Sequence, residues 1–284
     1  MQENNKTCIR IAKRRDAAAI LAIYAPFVEQ TAITFTLKVP TLGQVRQTMG
    51  DILRHYPYLV CEVDGKVVGF AYAYRVRPHA AFNWNAELTV YIDPRHHGHG
   101  IATALYTALF ALLKAQGFCN LYAVITLPNE ASIALHKHFG FEQNMVQKAC
   151  GYKLGKWRDV LWMEYRINGA ANPAIHGFPK PPGDLNVNDI QTALAMASAL
   201  LMGTSVTKGA VVADGALDGV VAGDTFDDTS DNVVADGALD GVVAAESVLK
   251  SNTLGVAAVA DGVVAAESVL TSNTDEVNSG AEFS

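Results

Sequence analysis

The chain has 284 residues, 50% of them hydrophobic, and a formal net charge of −6. That charge is unevenly divided: residues 1–167 hold 19 Lys+Arg against 12 Asp+Glu, a net of +7, and residues 168–284 hold 3 against 16, a net of −13. The basic residues are scattered rather than clustered with aromatics, which argues against a nucleic-acid surface, and the longest uncharged apolar run, 190–202, is short of the ~20 residues of a membrane span.

The first fifteen residues are charged and lack an apolar run, so no secretory signal is expected. Cys8, Cys61, Cys119 and Cys150 show no Cys-x-x-Cys spacing and read as reduced thiols of a soluble, cytoplasmic protein. A short strand over 8–11 leads to Asp16, a helix start, with Ile20, Ile23, Tyr24 and Phe27 at helical spacing; Pro26 is expected to end or kink that helix near Tyr24. Thr41 and Gln44 fit a capping box for a helix over 42–56, whose buried stripe is Leu42, Val45, Met49, Ile52, Leu53 and Tyr56. Strands over 58–63 and 66–76 flank Asp64-Gly65, a tight hairpin turn.

Residues 86–92, AELTVYI, alternate as a strand, with Glu87, Thr89 and Tyr91 on one face and Leu88, Val90 and Ile92 on the other. A loop follows, Asp93-Pro-Arg95-His96-His97-Gly98-His99-Gly100, and then a helix over 101–117 with Ile101, Ala104, Leu105, Ala108, Leu109 and Leu112 at helical spacing. A strand that feeds a glycine loop opening a helix presents free amides at the positive helix end, which suits a pyrophosphate. A tight turn satisfies the same pattern. Neither Gly-x-x-x-x-Gly-Lys-Ser/Thr nor Gly-x-Gly-x-x-Gly is present. A buried strand over 121–127, a helix over 130–139 and an alternating strand over 160–167 complete a mixed α/β layer fold.

The loop Arg95-His-His-Gly98-His-Gly100 resembles the Arg/Gln-x-x-Gly-x-Gly/Ala signature of the GNAT acyltransferases. The segments FNWNAELTVYIDP, LYAVITLPNEASIALHKHFGF, GYKLGKWRDVLWMEYRI and AAAILAIYAPFVEQTAITF are similar, in collinear order over about residues 8–167, to the phosphinothricin/methionine sulfoximine acetyltransferase branch. The resemblance implies a GNAT fold, a mixed and mostly antiparallel sheet flanked by helices. It also implies an enzyme that moves an acetyl group from acetyl-CoA directly to the amino group of a small amino-acid-like substrate, without a metal and commonly as a homodimer. Another amine as acceptor, or a non-catalytic acyl-CoA-binding module, are the alternative readings.

Acetyl transfer to an ammonium requires a proton acceptor. Glu87 is the candidate; pattern alone leaves open a solvated sheet face, and the match of Trp84-Asn-Ala-Glu87 to the branch points to a general base. His136 shares a helical stripe with Asn129 and Ser132, opposite Ala131, Leu135 and Phe139. That stripe can be solvent-facing; the resemblance makes His136 the acid for the departing thiolate, or a second base. It also assigns the pantetheine arm to Asn129, the acyl carbonyl and pantetheine to amides at Val90, Tyr91 and Ile92, and the pyrophosphate to Arg95, His96, His97, Gly98, His99, Gly100 and Ile101. Arg75, Arg77 and Phe82 are the acceptor-reading candidates. His79 and Asn83 stand where the branch often has arginines. Histidines at 96, 97 and 99 without companion carboxylates or thiols are weak metal ligands.

Beyond residue 167 the resemblance ends. Residues 168–188 read as a Gly/Pro linker, with a possible helix over 189–202 at the start of an acidic, low-complexity tail, 189–284, expected to be largely disordered. VVADGALDGVVA occurs at 211–222 and again at 233–244, too few copies for a stacked solenoid.

Overall fold

Local signals set most element boundaries. A computed structural model describes residues 7–168 and 177–203; the repeats, and most of the expected disordered tail, lie outside the described residues. The elements are β1 (Thr7–Ile11), α1 (Ala17–Gln30), α2 (Leu42–Leu53), β2 (Tyr58–Val63), β3 (Lys66–Arg75), β4 (Asn85–Ile92), α3 (Ile101–Gln116), β5 (Asn120–Thr126), α4 (Glu130–His138), β6 (Glu142–Lys153), β7 (Lys156–Arg166) and α5 (Val187–Leu201). The Thr41/Gln44 capping box starts α2 as expected, with Gln44 N–H on Thr41 Oγ1 and Thr41 N–H on Gln44 Oε1. Pro26 does not end α1. It removes one donor from the helix, but Ile23, Tyr24, Phe27 and Val28 are buried around it, and their packing outweighs one lost hydrogen bond.

The seven strands lie in the order β1-β2-β3-β4-β5-β7-β6. Every neighbouring pair is antiparallel except β4 and β5. One sheet face, carrying Leu59, Ala71, Ala73, Ala86, Leu88, Val90, Leu121 and Ala123, packs on the Leu105, Leu109, Leu112 and Leu113 stripe of α3. The other face is aromatic: Tyr58, Phe70, Tyr72 and Tyr91 stack among themselves and against Tyr24 and Phe27 of α1. Strand β6 escapes the sequence pattern because residues 142–150 are all exposed on an outer strand, so no apolar alternation marks them. No helix among the described residues is long and apolar enough to cross a membrane. All four cysteines are free.

The segment read as linker and tail needs correction at its start. Residues 177–203 form part of the folded body. Lys180 N–H donates to the Gln116 carbonyl and Gln116 Nε2 returns a bond to the Lys180 carbonyl, at 2.8 and 2.6 Å. Helix α5, capped by Asn186, packs on α3 and β1 and buries Ala193 and Ala197. Ser198 Oγ accepts the Ile9 N–H at 2.9 Å, satisfying a donor on the edge strand β1. Small residues let this helix approach closely, a signal that hydrophobic periodicity underweights. A charge at Ala197 has no partner there. Ala197→Asp should therefore cost roughly 3 kcal/mol and lower the thermal midpoint by about 6–12 °C; an unchanged midpoint would mean that α5 is not docked.

Candidate active site

The site begins where β4 and β5 part. Their parallel pairing runs only from Asn85↔Asn120 to Glu87↔Tyr122, although both strands continue. Beyond Glu87 the side of β4 that faces β5 is open. On the other side, Asp93 N–H donates to the Val68 carbonyl. Hydrogen-bonded pairs alternate along an antiparallel ladder, so Tyr91, Thr89 and Glu87 direct their backbone groups at β3. The amides of Val90 and Ile92 point into the opening. This corrects the expected set: Tyr91 offers its amide to β3, whereas Val90 and Ile92 remain suited to an acyl carbonyl or pantetheine.

Glu87 sits on the aromatic face, not a solvated one. It is 4% exposed and flanked in register by Tyr74 of β3 and Tyr122 of β5. The Tyr74 hydroxyl donates to Glu87 Oε1. Burial pushes the Glu87 carboxyl up to about 8, and the Tyr74 hydrogen bond opposes that shift by favouring the ionised form. A carboxyl that titrates close to neutrality is suited to exchange protons with an amine.

At the end of β4 the chain enters the glycine loop. Asp93 caps a short turn over Pro94–His96, and its carboxylate takes the Arg95 N–H, Nε and Nη2, at 3.0, 3.1 and 2.6 Å. These bonds hold the Asp93 carboxyl below its usual range. Arg95 is thus tethered at the rim, 85% exposed. His97 Nε2 donates to the Ile92 carbonyl at 3.1 Å, and His99 Nδ1 to the His97 carbonyl at 2.7 Å. The two histidines brace the loop backbone; His96 is half-buried in the turn. Gly98 and Gly100 adopt φ of +75° and +69°, the left-handed region in which a side chain is strained. Gly100 is also the N-cap of α3 and provides no side-chain cap. The first-turn amides of α3 therefore face outward at the positive end of the helix dipole, with Ile101 buried beneath them.

A family model for the acetyltransferase (GNAT) domain matches residues 9–162. The chain belongs to the GNAT acetyltransferase family. It is 38% identical over 152 residues to a phosphinothricin N-acetyltransferase of Streptomyces viridochromogenes, spanning 54% of this chain and 83% of that protein. It is 32% identical over 166 residues to an L-methionine sulfoximine/L-methionine sulfone acetyltransferase of Salmonella typhimurium, spanning 58% and 97%. A GNAT phosphinothricin acetyltransferase from Sinorhizobium meliloti, solved in complex with AcCoA, superposes with a TM-score of 0.57 at 31% identity, covering 64% of this chain and 96% of that one. The mixed sheet flanked by helices is the GNAT fold, and the chain is an acetyltransferase by family.

Within this GNAT domain, five expected site residues, His136, Arg75, Arg77, Phe82 and Asn129, lie in surroundings that their own segments did not reveal. His136 bonds Ser132 and Tyr106 rather than Glu87. It is fully buried between α4 and α3, and Ser132 and His136 form the inward stripe of α4 rather than a solvent-facing one. Its Nδ1 lies 2.8 Å from the Ser132 carbonyl, which only accepts, so the proton sits on Nδ1, and Nε2 accepts from the Tyr106 hydroxyl at 3.2 Å. Burial lowers its pKa to about 4. At neutral pH this is a neutral imidazole with both nitrogens engaged, which argues against its serving as a general acid. Arg75 pairs with Ala86, so strand alternation puts it on the face opposite Glu87, beside the Tyr56 hydroxyl and 3.5 Å from the Pro78 carbonyl. Arg77 and Phe82 are exposed on the β3–β4 connection. Asn129 is buried and caps α4 through its side-chain oxygen, 3.1 Å from Ser132 N–H. Sequence reasoning missed Tyr74. The alternation of Phe70, Tyr72 and Tyr74 on β3 was the available signal, since the hairpin and the β3–β4 pairing carry that face to Glu87.

Proposed function

We propose that this acetyltransferase moves an acetyl group from acetyl-CoA directly to the amino group of a small amino-acid-like substrate, with Glu87 as general base. One observation carries the reading: a mid-strand carboxylate, buried at 4% exposure, sits at the point where β4 and β5 separate. The acceptor arrives as an ammonium. Ionised Glu87 takes a proton from it, and the neutral nitrogen attacks the thioester carbonyl. The Val90 and Ile92 amides are placed to receive the carbonyl oxygen as it gains charge. Collapse of the tetrahedral adduct expels the CoA thiolate, which takes up the second proton of the nitrogen, and leaves the neutral amide and CoA thiol. The uncapped α3 turn and the Gly98–Gly100 loop suit the cofactor pyrophosphate, as does the AcCoA complex of the Sinorhizobium meliloti relative. The activities of the relatives, on phosphinothricin and on methionine sulfoximine or methionine sulfone, support the acceptor class.

The homodimer we propose pairs two copies across β6. This strand ends the sheet and exposes Met145 and Val146, which suits a homodimer. A cytoplasmic site of action agrees with four free cysteines.

The test is a thiol-release assay with acetyl-CoA against phosphinothricin, methionine sulfoximine, free amino acids, polyamines and short peptides. Turnover should favour an amino-acid-like acceptor, and Glu87→Gln should lower kcat by ~10²–10⁴. Full activity in that variant would remove Glu87 from the chemistry. Acetyl-CoA binding without turnover on any amine would favour an acyl-CoA-binding module. Gly98→Val tests the loop. Its added Cβ meets nothing within 4 Å, so folding should persist, while the strained left-handed position re-aims the amides. The dissociation constant for acetyl-CoA should rise at least ~10-fold by calorimetry; a normal affinity would refute the phosphate assignment.

A further inference from the structure

The carboxylate of Glu87 has one polar side-chain partner among the described residues, the Tyr74 hydroxyl. Tyr74 is itself fixed. It is 6% exposed, it pairs in register with Glu87 across β3 and β4, and its ring lies 5.8 Å from that of Tyr72. Tyr72 in turn stacks on Tyr58 at 4.7 Å, within the aromatic layer that α1 covers. The groups that face Glu87 from the neighbouring strands are Tyr74 and Tyr72 of β3 and Tyr122 of β5; Tyr24 of α1 lies beyond the two β3 tyrosines, and Glu164 and Arg166 of β7 lie beyond Tyr122. Glu164 and Arg166, of opposite sign, are the formally charged groups in this set, and no ion pair reaches Glu87 among the described residues. A buried carboxylate with a single donor depends on that donor for both its direction and its ionisation.

We propose that Tyr74 is the positioning residue of the base: its hydroxyl holds Oε1 of Glu87, turning Oε2 toward the acceptor ammonium and sustaining the ionised carboxylate inside the aromatic layer. The inference rests on Glu87 acting as general base. Tyr74 keeps its own proton throughout, because burial and the adjacent carboxylate both push the phenol well above its ordinary range. It is a fixed donor and not a relay. The carboxylate alone accepts the acceptor's proton, and the other tyrosines of the layer supply packing.

The hydroxyl can be removed with little change of shape. In Tyr74→Phe, the acidic limb of kcat/KM for the acceptor should move upward by about one pH unit, the usual consequence of deleting a hydrogen bond to an ionised group. At pH 7 the rate should fall at least ~5-fold and recover in part above pH 9.5, with KM for acetyl-CoA unchanged. Replacement of Tyr74 by 3-fluorotyrosine strengthens the donor while keeping the ring, and should move the same limb downward. This second variant keeps the test available if Tyr74→Phe folds poorly. A limb that stays in place in either folded variant overturns the proposal and leaves Tyr74 a packing residue. Failure of the underlying reading is separately visible: Glu87→Gln would then keep the wild-type rate and the wild-type limb.

Discussion

The structure depends on two adjacent parallel strands that stay paired for only three residues. Were β4 and β5 bonded along their whole length, every amide between them would be consumed by the sheet, and no backbone donor would be left for a thioester. Their separation after Glu87 and Tyr122 has three consequences at once. It frees the Val90 and Ile92 amides, it leaves Glu87 at the apex of the gap, and it sends the end of β4 into the loop that opens α3. The rest of the molecule supports that opening. Helix α3 and the apolar face of the sheet hold one side, and the aromatic layer under α1 holds the other.

The second constraint is electrostatic. A carboxylate enclosed by tyrosines, with no cation bonded to it among the described residues, resists ionising. The raised pKa of Glu87 reflects desolvation that a single hydrogen bond only partly offsets. Its sign for stability follows from the same shift. The folded state binds the proton more tightly than the unfolded chain, so this group's contribution is full below about pH 4.5 and is lost as pH rises through about 8. A residue that weakens the fold at the pH where an amine is best deprotonated has no packing rationale, and the proposed role as general base would supply a rationale.

How much of this was legible in the sequence depended on how local the signal was. The capping box of α2, the Asp64-Gly65 turn and the strand–glycine–helix unit are encoded within a few residues, and the chain folds there as expected. The alternation of β4 separated Glu87 from Val90 and Ile92 correctly, because side-chain period fixes the two faces of a strand. It could not say what covers each face, and so it left a solvated Glu87 open. The surroundings of His136 and Arg75 were hidden for that reason. Each was assigned by its own segment, whereas its surroundings are fixed by tertiary register: α4 turns its polar stripe toward Tyr106, and the pairing with Ala86 sends Arg75 away from the carboxylate. The docking of α5 was missed because Ala193, Ala197 and Ser198 carry little hydrophobic signal but permit close contact with α3 and β1.

The claim on which the account rests is that Glu87 is a buried carboxyl titrating near neutrality. It can be read directly in protein labelled with ¹³C at the glutamate side-chain carboxyl, the Glu87 resonance being the one absent from Glu87→Gln. A titration midpoint near 8 is expected for that resonance. A midpoint near 4.5, the ordinary value for a solvated glutamate, would contradict it and return Glu87 to the role of a surface residue.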